Sequence, residues 1–241
     1  MNISIFAANF RKKVKKIFVL FLTLFLTHSA YSQIHEVGVF VGGSNFIGDV
    51  GKENFIAPNN LAFGGIYKWN KSTRHSWRFS IMRSTLKMDD ADSHSAARNE
   101  RGFSLENSVT ELSAGMEFNF FDFNLHELGF KITPYVHTGL SYFWYDGKYF
   151  LNGVAQNDGD RDRALAIPMT VGVKFNVAQQ LVIGFETGAR YTFADDLDGS
   201  NPKNSKYKPY AFGNLNSKDW YVFTGFTLTY TFGKNPCYCP L

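Results

Sequence analysis

LVIGFETGARYTF, residues 181–193, alternates without a break. Leu181, Ile183, Phe185, Thr187, Ala189, Tyr191 and Phe193 fall on one face of an extended chain. Val182, Gly184, Glu186, Gly188, Arg190 and Thr192 fall on the other. Successive side chains of a strand point to opposite faces. One face is therefore mostly apolar or aromatic, and the other mostly small, polar or charged.

Seven further segments read the same way: roughly 36–43, 61–69, 75–86, 109–120, 130–145, 165–175 and 219–232. In the fourth of these Leu112, Ala114, Met116, Phe118 and Phe120 oppose Glu111, Ser113, Gly115, Glu117 and Asn119. In the last, Trp220, Val222, Phe226, Leu228, Tyr230 and Phe232 oppose Gly225, Thr227, Thr229 and Thr231. No segment beyond the N-terminal region sustains a 3.6-residue apolar period. A soluble sandwich would bury its apolar face and crowd the other with Lys and Glu. Here the apolar face is too continuous for a shared core, and the polar face is rich in Gly and Ser. Apolar-out, polar-in alternation is the pattern of a transmembrane β-barrel, whose closure satisfies every backbone group within lipid. The expected fold is all-β, an eight-stranded antiparallel transmembrane barrel.

The connections alternate in length. Long polar ones are expected at roughly 44–60, 87–108, 146–164 and 194–218, and short ones between them. Long extracellular loops and short periplasmic turns belong to an outer-membrane barrel. Trp69, Trp77, Phe118, Phe120, Phe175, Tyr230 and Phe232 fall at the turn ends of the strands. Tyr142, Trp144, Tyr191, Phe193 and Trp220 fall at the loop ends. Amphipathic rings favour the two membrane interfaces.

The N-terminus accounts for the charge. The 241 residues carry a formal net charge of +4. Arg11, Lys12, Lys13, Lys15 and Lys16 precede the apolar run Ile17–Leu26, and Ala30-Tyr31-Ser32 places small residues before Gln33. This is the pattern of a secretory signal peptide, and the apolar run is too short for a membrane-spanning helix. Residues 1–32 hold five of the 25 Lys and Arg and none of the 21 Asp and Glu. The remainder is near neutral, so a nucleic-acid partner loses its support. The expected organisation is a cleaved signal peptide over 1–32, a barrel over 33–232 and a periplasmic tail over 233–241, located in the outer membrane.

Eight strands enclose a lumen that side chains fill. The inward acids are expected to be Glu36, Glu111, Glu117 and Glu186, and the inward bases Lys68, Arg78, Lys131, Lys174 and Arg190. Near-balance of sign predicts an ion-pair network that plugs the barrel. Asp89-Asp90-Ala91-Asp92-Ser93-His94 lacks the spacing of a calcium loop and reads as a solvated acidic loop. His94, His126 and His137 sit in no catalytic motif, and His137 is expected to hydrogen-bond within the lumen. With no phosphate loop, zinc spacing or triad, no catalytic, cofactor or metal residue is assigned, and no small-molecule substrate is expected.

Cys237 and Cys239, one residue apart, are both cysteines of the chain. Residues two apart in an extended chain lie roughly 6.5 Å apart at Cα, near the limit for a disulfide. In an oxidising compartment they are either a strained or idle dithiol or a tether to a periplasmic partner.

The stretch VGVFVGGSNFIGDVG, residues 37–51, together with the small barrel and the cysteine-containing end, resembles the PorG family. These are outer-membrane barrels of the type IX secretion system of gliding and protein-secreting Bacteroidota. The most specific part is GGSNFIGDVG, residues 42–51. The resemblance implies a non-enzymatic role: anchoring the periplasmic ring of the lipoprotein PorK (GldK) and PorN (GldN) to the outer membrane, in support of secretion and gliding. A cell-surface adhesin or loop-borne enzyme is the alternative.

Overall fold

The computed structural model describes residues 34–125, 129–178, 180–214 and 216–233. The expected signal peptide, His126, Cys237 and Cys239 lie outside the described residues. Eight strands run in chain order: β1 Ile34–Ile47, β2 Asn60–Asn70, β3 His75–Asp89, β4 Ser104–Asn119, β5 Ile132–Leu151, β6 Val154–Ala178, β7 Leu181–Thr192 and β8 Trp220–Phe232. Each pairs antiparallel with the next, and β1 pairs with β8 from His35↔Phe232 to Ile47↔Trp220, which closes the barrel. Closure leaves no sheet edge.

Side-chain parity follows the alternation. Val37, Val39, Val41, Phe63, Phe79, Ile81, Leu112, Leu140, Val171, Phe185, Phe226 and Leu228 are exposed, while their neighbours in sequence face the lumen. Girdle rings meet edge-on at the loop ends, Tyr142 with Trp144 at 4.8 Å and Tyr191 with Trp220 at 5.0 Å. On β8 the girdle positions Trp220 and Tyr230 are ten residues apart. At about 3.3 Å per residue and a tilt of about 40° they bracket an apolar band of about 25 Å, the height of an outer-membrane barrel's belt.

Two expectations change. The third long loop, 146–164, is strand instead. β5 and β6 run 20 and 25 residues and meet in a two-residue turn at Asn152-Gly153. Both turn residues have positive φ, 52° and 82°. That is the type I′ turn that Asn-Gly favours and that matches the twist of a hairpin. The second loop is also shorter than expected. β3 continues to Asp89 and β4 begins at Ser104, and between them lie a 3-10 turn, Asp90–Asp92, and a short helix α1, Ala96–Arg101.

The lumen differs too. Its turn-side half is polar and charged, but its loop-side half is an apolar core. Phe40, Ile66, Met82, Leu86, Phe143, Tyr221 and Phe223 fill it from the strands, and Val50, Ala194 and Leu197 reach in from the loops. On each strand these inward residues lie to the loop side of polar or charged inward residues, as Phe40 does relative to Glu36 and Ile66 relative to Lys68.

Candidate functional site

The charged half of the lumen is built by strand parity. Lys68, Arg78, Glu117, Lys174 and Glu186 all sit on inward positions of neighbouring or facing strands, and all are buried. Glu117 on β4 is the hub. It lies 2.7 Å from Lys68 Nζ, 2.6 Å from Lys174 Nζ and 3.5 Å from an Arg78 nitrogen. Arg78 also donates two bonds to Glu186, at 2.7 and 2.6 Å, in the planar fork that suits a carboxylate. The Tyr135 hydroxyl donates to the same carboxylate, and its ring lies beneath Lys68 and Lys174 at 5.3 and 5.4 Å. Glu36 accepts from Asn70 at 2.7 Å and Thr229 at 2.9 Å. One layer higher, Glu111 accepts from Arg190 at 3.3 Å and from the Tyr221 hydroxyl. The Arg190 guanidinium rests on the Phe223 ring at 4.5 Å.

Four acids and four bases are thus buried together. A carboxylate or ammonium removed from water is costly unless each charge is met and its remaining hydrogen bonds are satisfied. Lys131, the fifth expected base, stands apart from this cluster. It lies part-buried just before β5, where its backbone N–H donates to Asn176 at 2.6 Å. His137 faces inward and is buried, but among the described residues no protein group hydrogen-bonds its ring nitrogens. The hydroxyls of Ser113, Ser141 and Thr170 share that condition. Ser113 lies between Glu117 and Glu111 on β4, opposite Ser141, and Thr170 pairs with Gly188 between Glu186 and Arg190, so these hydroxyls lie between the two layers of ion pairs.

The loops close the other end. Residues 194–200 of the fourth loop are all buried in the mouth. Asp198 accepts from the backbone N–H of Asp49, Val50 and Ser200, at 2.8, 3.2 and 2.9 Å, so the fourth loop grips the first. Asp219 accepts from Leu197 N–H at 2.9 Å. Asn107 donates to the Leu197 and Asp146 carbonyls at 2.8 and 2.9 Å. α1 supplies two arginines to the first loop: Arg98 donates to the Gly51 and Gly48 carbonyls, and Arg101 to that of Asp49.

Two kinds of carboxylate result. Burial pushes Asp90 up, but Arg101 and the N–H groups of Gly51 and Phe103 outweigh it and hold the group below the ordinary carboxylate value. Among the described residues no ion pair meets Asp198 or Asp219, burial is the leading influence on both, and Asp219 also sits near Asp198. Both are raised, Asp219 well above its ordinary value.

The acidic loop segment does not converge on a common point. Asp89 caps Ala91 N–H, Asp90 pairs with Arg101 at 2.7 Å, and Asp92 lies 3.4 Å from Lys52. His94 is exposed, its amide donating to Glu53. No group of three or more His, Cys, Asp or Glu among the described residues is arranged to hold a metal ion.

The stretch 42–51 gains physical content here. Gly42 packs backbone to backbone across the β1–β8 seam, where a Cβ would lie 2.3 Å from the Thr224 carbonyl oxygen. Ser44 bonds Ser84 of β3 over the intervening strand β2 at 2.6 Å, Phe46 and Val50 enter the apolar core, and Gly51 turns with φ +90°. This stretch carries the chain from the barrel wall into the cap.

The family described as "Domain of unknown function (DUF6089)" matches residues 15–241. The chain belongs to this family. No curated protein matches it. Among solved structures, this DUF6089 barrel is similar to Ail, the attachment invasion locus protein of Yersinia pestis, in complex with the heparin analogue sucrose octasulfate. Identity is 12%, with 84% of this chain and 100% of that chain covered and a TM-score of 0.46. A major outer membrane protein from Thermus thermophilus is similar at 11% identity, covering 84% of this chain and 100% of that chain, with a TM-score of 0.46. Outer membrane protein AlkL, solved in DMPC lipid bilayers, is similar at 11% identity, covering 89% of this chain and 96% of that chain, with a TM-score of 0.42. The likeness is one of fold.

Sequence parity placed the ion-pair residues of this DUF6089 chain on the inward face, but not their layering. The aromatic core and the cap were missed. Their signal was present as large apolar residues at inward parity, Phe40, Ile66, Met82, Phe143 and Phe223, each on the loop side of the polar inward residues Glu36, Lys68, Arg78, His137 and Thr227 of the same strands.

Proposed function

We propose that this chain is a non-enzymatic outer-membrane barrel of the type IX secretion system, with its turn side in the periplasm, where it anchors the PorK/PorN (GldK/GldN) ring. The observation that carries this reading is the filled lumen. Ion pairs block one half and an aromatic core under a loop cap blocks the other, so the work of the molecule falls to its surfaces. The resemblance over GGSNFIGDVG supplies the identity of the partner. In this reading Cys237 and Cys239 emerge on the side of the ring, where they form an intermolecular disulfide tether.

The test is purification of the barrel from membranes without reductant. Ring components are expected to co-purify, and Cys237→Ser with Cys239→Ser to abolish a reducible high-mass band. A barrel that arrives without any ring component contradicts the anchor. Absence of the band from the unmutated protein contradicts the tether alone.

A second reading, a cell-surface adhesin, draws on the loop side. The second loop, the tip of the third hairpin and the fourth loop form a 360 Å³ hollow lined by Arg101, Phe103, Phe150, Tyr210 and Phe212. Replacing the tips of the long loops abolishes an adhesin and leaves an anchor working.

A further inference from the structure

Part of the first loop (48–59) does not stand over the mouth. It lies on the outside of the barrel. Asn45 points outward by parity, because Ser44 bonds Ser84 within the lumen and Phe46 belongs to the apolar core. Its Nδ2 donates to the carbonyls of Asn54 and Phe55, at 3.0 and 3.1 Å, and its Oδ1 accepts from Ala57 N–H at 3.4 Å. Pro58 seats on Gly43, where a Cβ would come within 2.6 Å of its ring. Asn45 and its cross-strand partner Val222 both point outward, yet they are 3% and 2% exposed, as a strip lying across the seam requires.

The strip sorts its side chains. Lys52 turns to Asp92 at 3.4 Å, and Glu53 accepts from the Ser93 hydroxyl at 2.6 Å, so both charges belong to the cap. Phe55 and Ile56, next along, turn away from the barrel and are 61% exposed each. The Phe55 ring meets Trp220 edge-on at 6.3 Å. Trp220 continues into Tyr191 and Phe193 at the loop-end girdle.

We infer that Phe55 and Ile56 form a membrane-interface anchor, a built-in binding surface for the lipid boundary on the loop side. The pair extends the aromatic girdle across the β1–β8 seam, at the level where rings and apolar side chains partition between headgroups and acyl chains. The strip does a second job. Asn45 would present an amide to lipid, and the backbone of 54–57 satisfies that amide and covers it. Cap charges face water, the apolar pair faces lipid, and Asn45 fixes the boundary between them.

This inference rests on the barrel spanning a bilayer, and the test separates the two. In a Cys237→Ser, Cys239→Ser background, single variants Phe55→Cys, Ile56→Cys, Val39→Cys and Lys206→Cys carry an environment-sensitive fluorophore. Each is reconstituted in phosphatidylcholine vesicles with nitroxides attached at shallow or deep positions of the lipid. Labels at 55 and 56 are expected to emit blue-shifted relative to Lys206→Cys and to be quenched most by the shallow nitroxide. Adding Asn45→Ala is expected to shift the label at 56 toward the aqueous value. A label at 55 or 56 that behaves like that at 206, or one shielded from both water and lipid quenchers by protein, overturns the anchor. A label at 39 that is quenched from water instead of by the deep nitroxide overturns the spanning barrel itself.

Discussion

Glu117 is the residue on which the turn-side lumen depends. It meets Lys68, Lys174 and Arg78 at once, with all four side chains buried. Replacing it by Gln keeps the shape and removes the charge, which leaves two buried ammonium groups without their counter-ion. Breaking a buried pair from one side costs about 3–5 kcal/mol. Glu117→Gln is expected to lower the unfolding free energy by about that much, read as a fall in the urea midpoint of barrel refolding into lipid vesicles. A loss within about 0.5 kcal/mol, the range of an ordinary surface substitution, would mean that the ammonium groups do not rely on Glu117. At this scale the sequence was informative but incomplete. Alternation assigns each charge to a face, because the side-chain period of a strand is two. It does not say which charges meet, because that depends on strand stagger around the ring. Lys131 shows the limit: parity with β5 counts it inward, but β5 begins one residue later and Lys131 sits at the rim.

At the scale of elements, the third hairpin and the fourth loop depart from a uniform set of long loops. The hairpin owes its turn to Asn152-Gly153. Gly153 has φ +82°, where a side chain costs about 1–2 kcal/mol. Gly153→Val is expected to make the hairpin tip more susceptible to proteolysis while the barrel's melting stays unchanged. Equal nicking in both proteins would count against the turn. The Asn-Gly signal was legible in the sequence, but the polar residues beyond it, AQNDGDRDR, masked the strands that continue on either side.

The fourth loop was legible only as polar and long. Its burial comes from partners distant in sequence, such as the N–H groups of Asp49 and Val50 on Asp198. Asp198 and Asp219 titrate above their ordinary values, so the protonated forms fit the folded cap better. Their contribution to docking is therefore complete below the ordinary carboxylate range and fades as pH rises through the raised values. Hydrogen exchange of amides 194–200 is expected to quicken with pH beyond the intrinsic rate. Asp219→Asn keeps an acceptor for Leu197 N–H and removes the charge. It is expected to slow that exchange at high pH and leave it unchanged at low pH. The same pH dependence in the variant and the parent would contradict this role for Asp219.

For the whole molecule, two fillings of opposite character share one lumen. Ion pairs occupy the turn side, aromatic and aliphatic side chains the loop side, and the loops fold down over the second. The closed eight-strand ring was legible because eight alternating runs and an even strand count leave few other arrangements. The two-layered filling was not, since it requires knowing how high each inward residue stands in the ring. The filling decides what the molecule can do. An eight-stranded barrel is just wide enough for side chains to occupy its interior, and here buried ion pairs and an aromatic core fill it. The direct test is conductance of the purified barrel in planar lipid bilayers. The unmutated protein is predicted to insert without stepwise ion currents, and Glu117→Gln, which alters charge but not bulk, to remain silent as well. Stable unitary conductance from the unmutated barrel would contradict a sealed lumen, and with it the claim that this protein works through its surfaces.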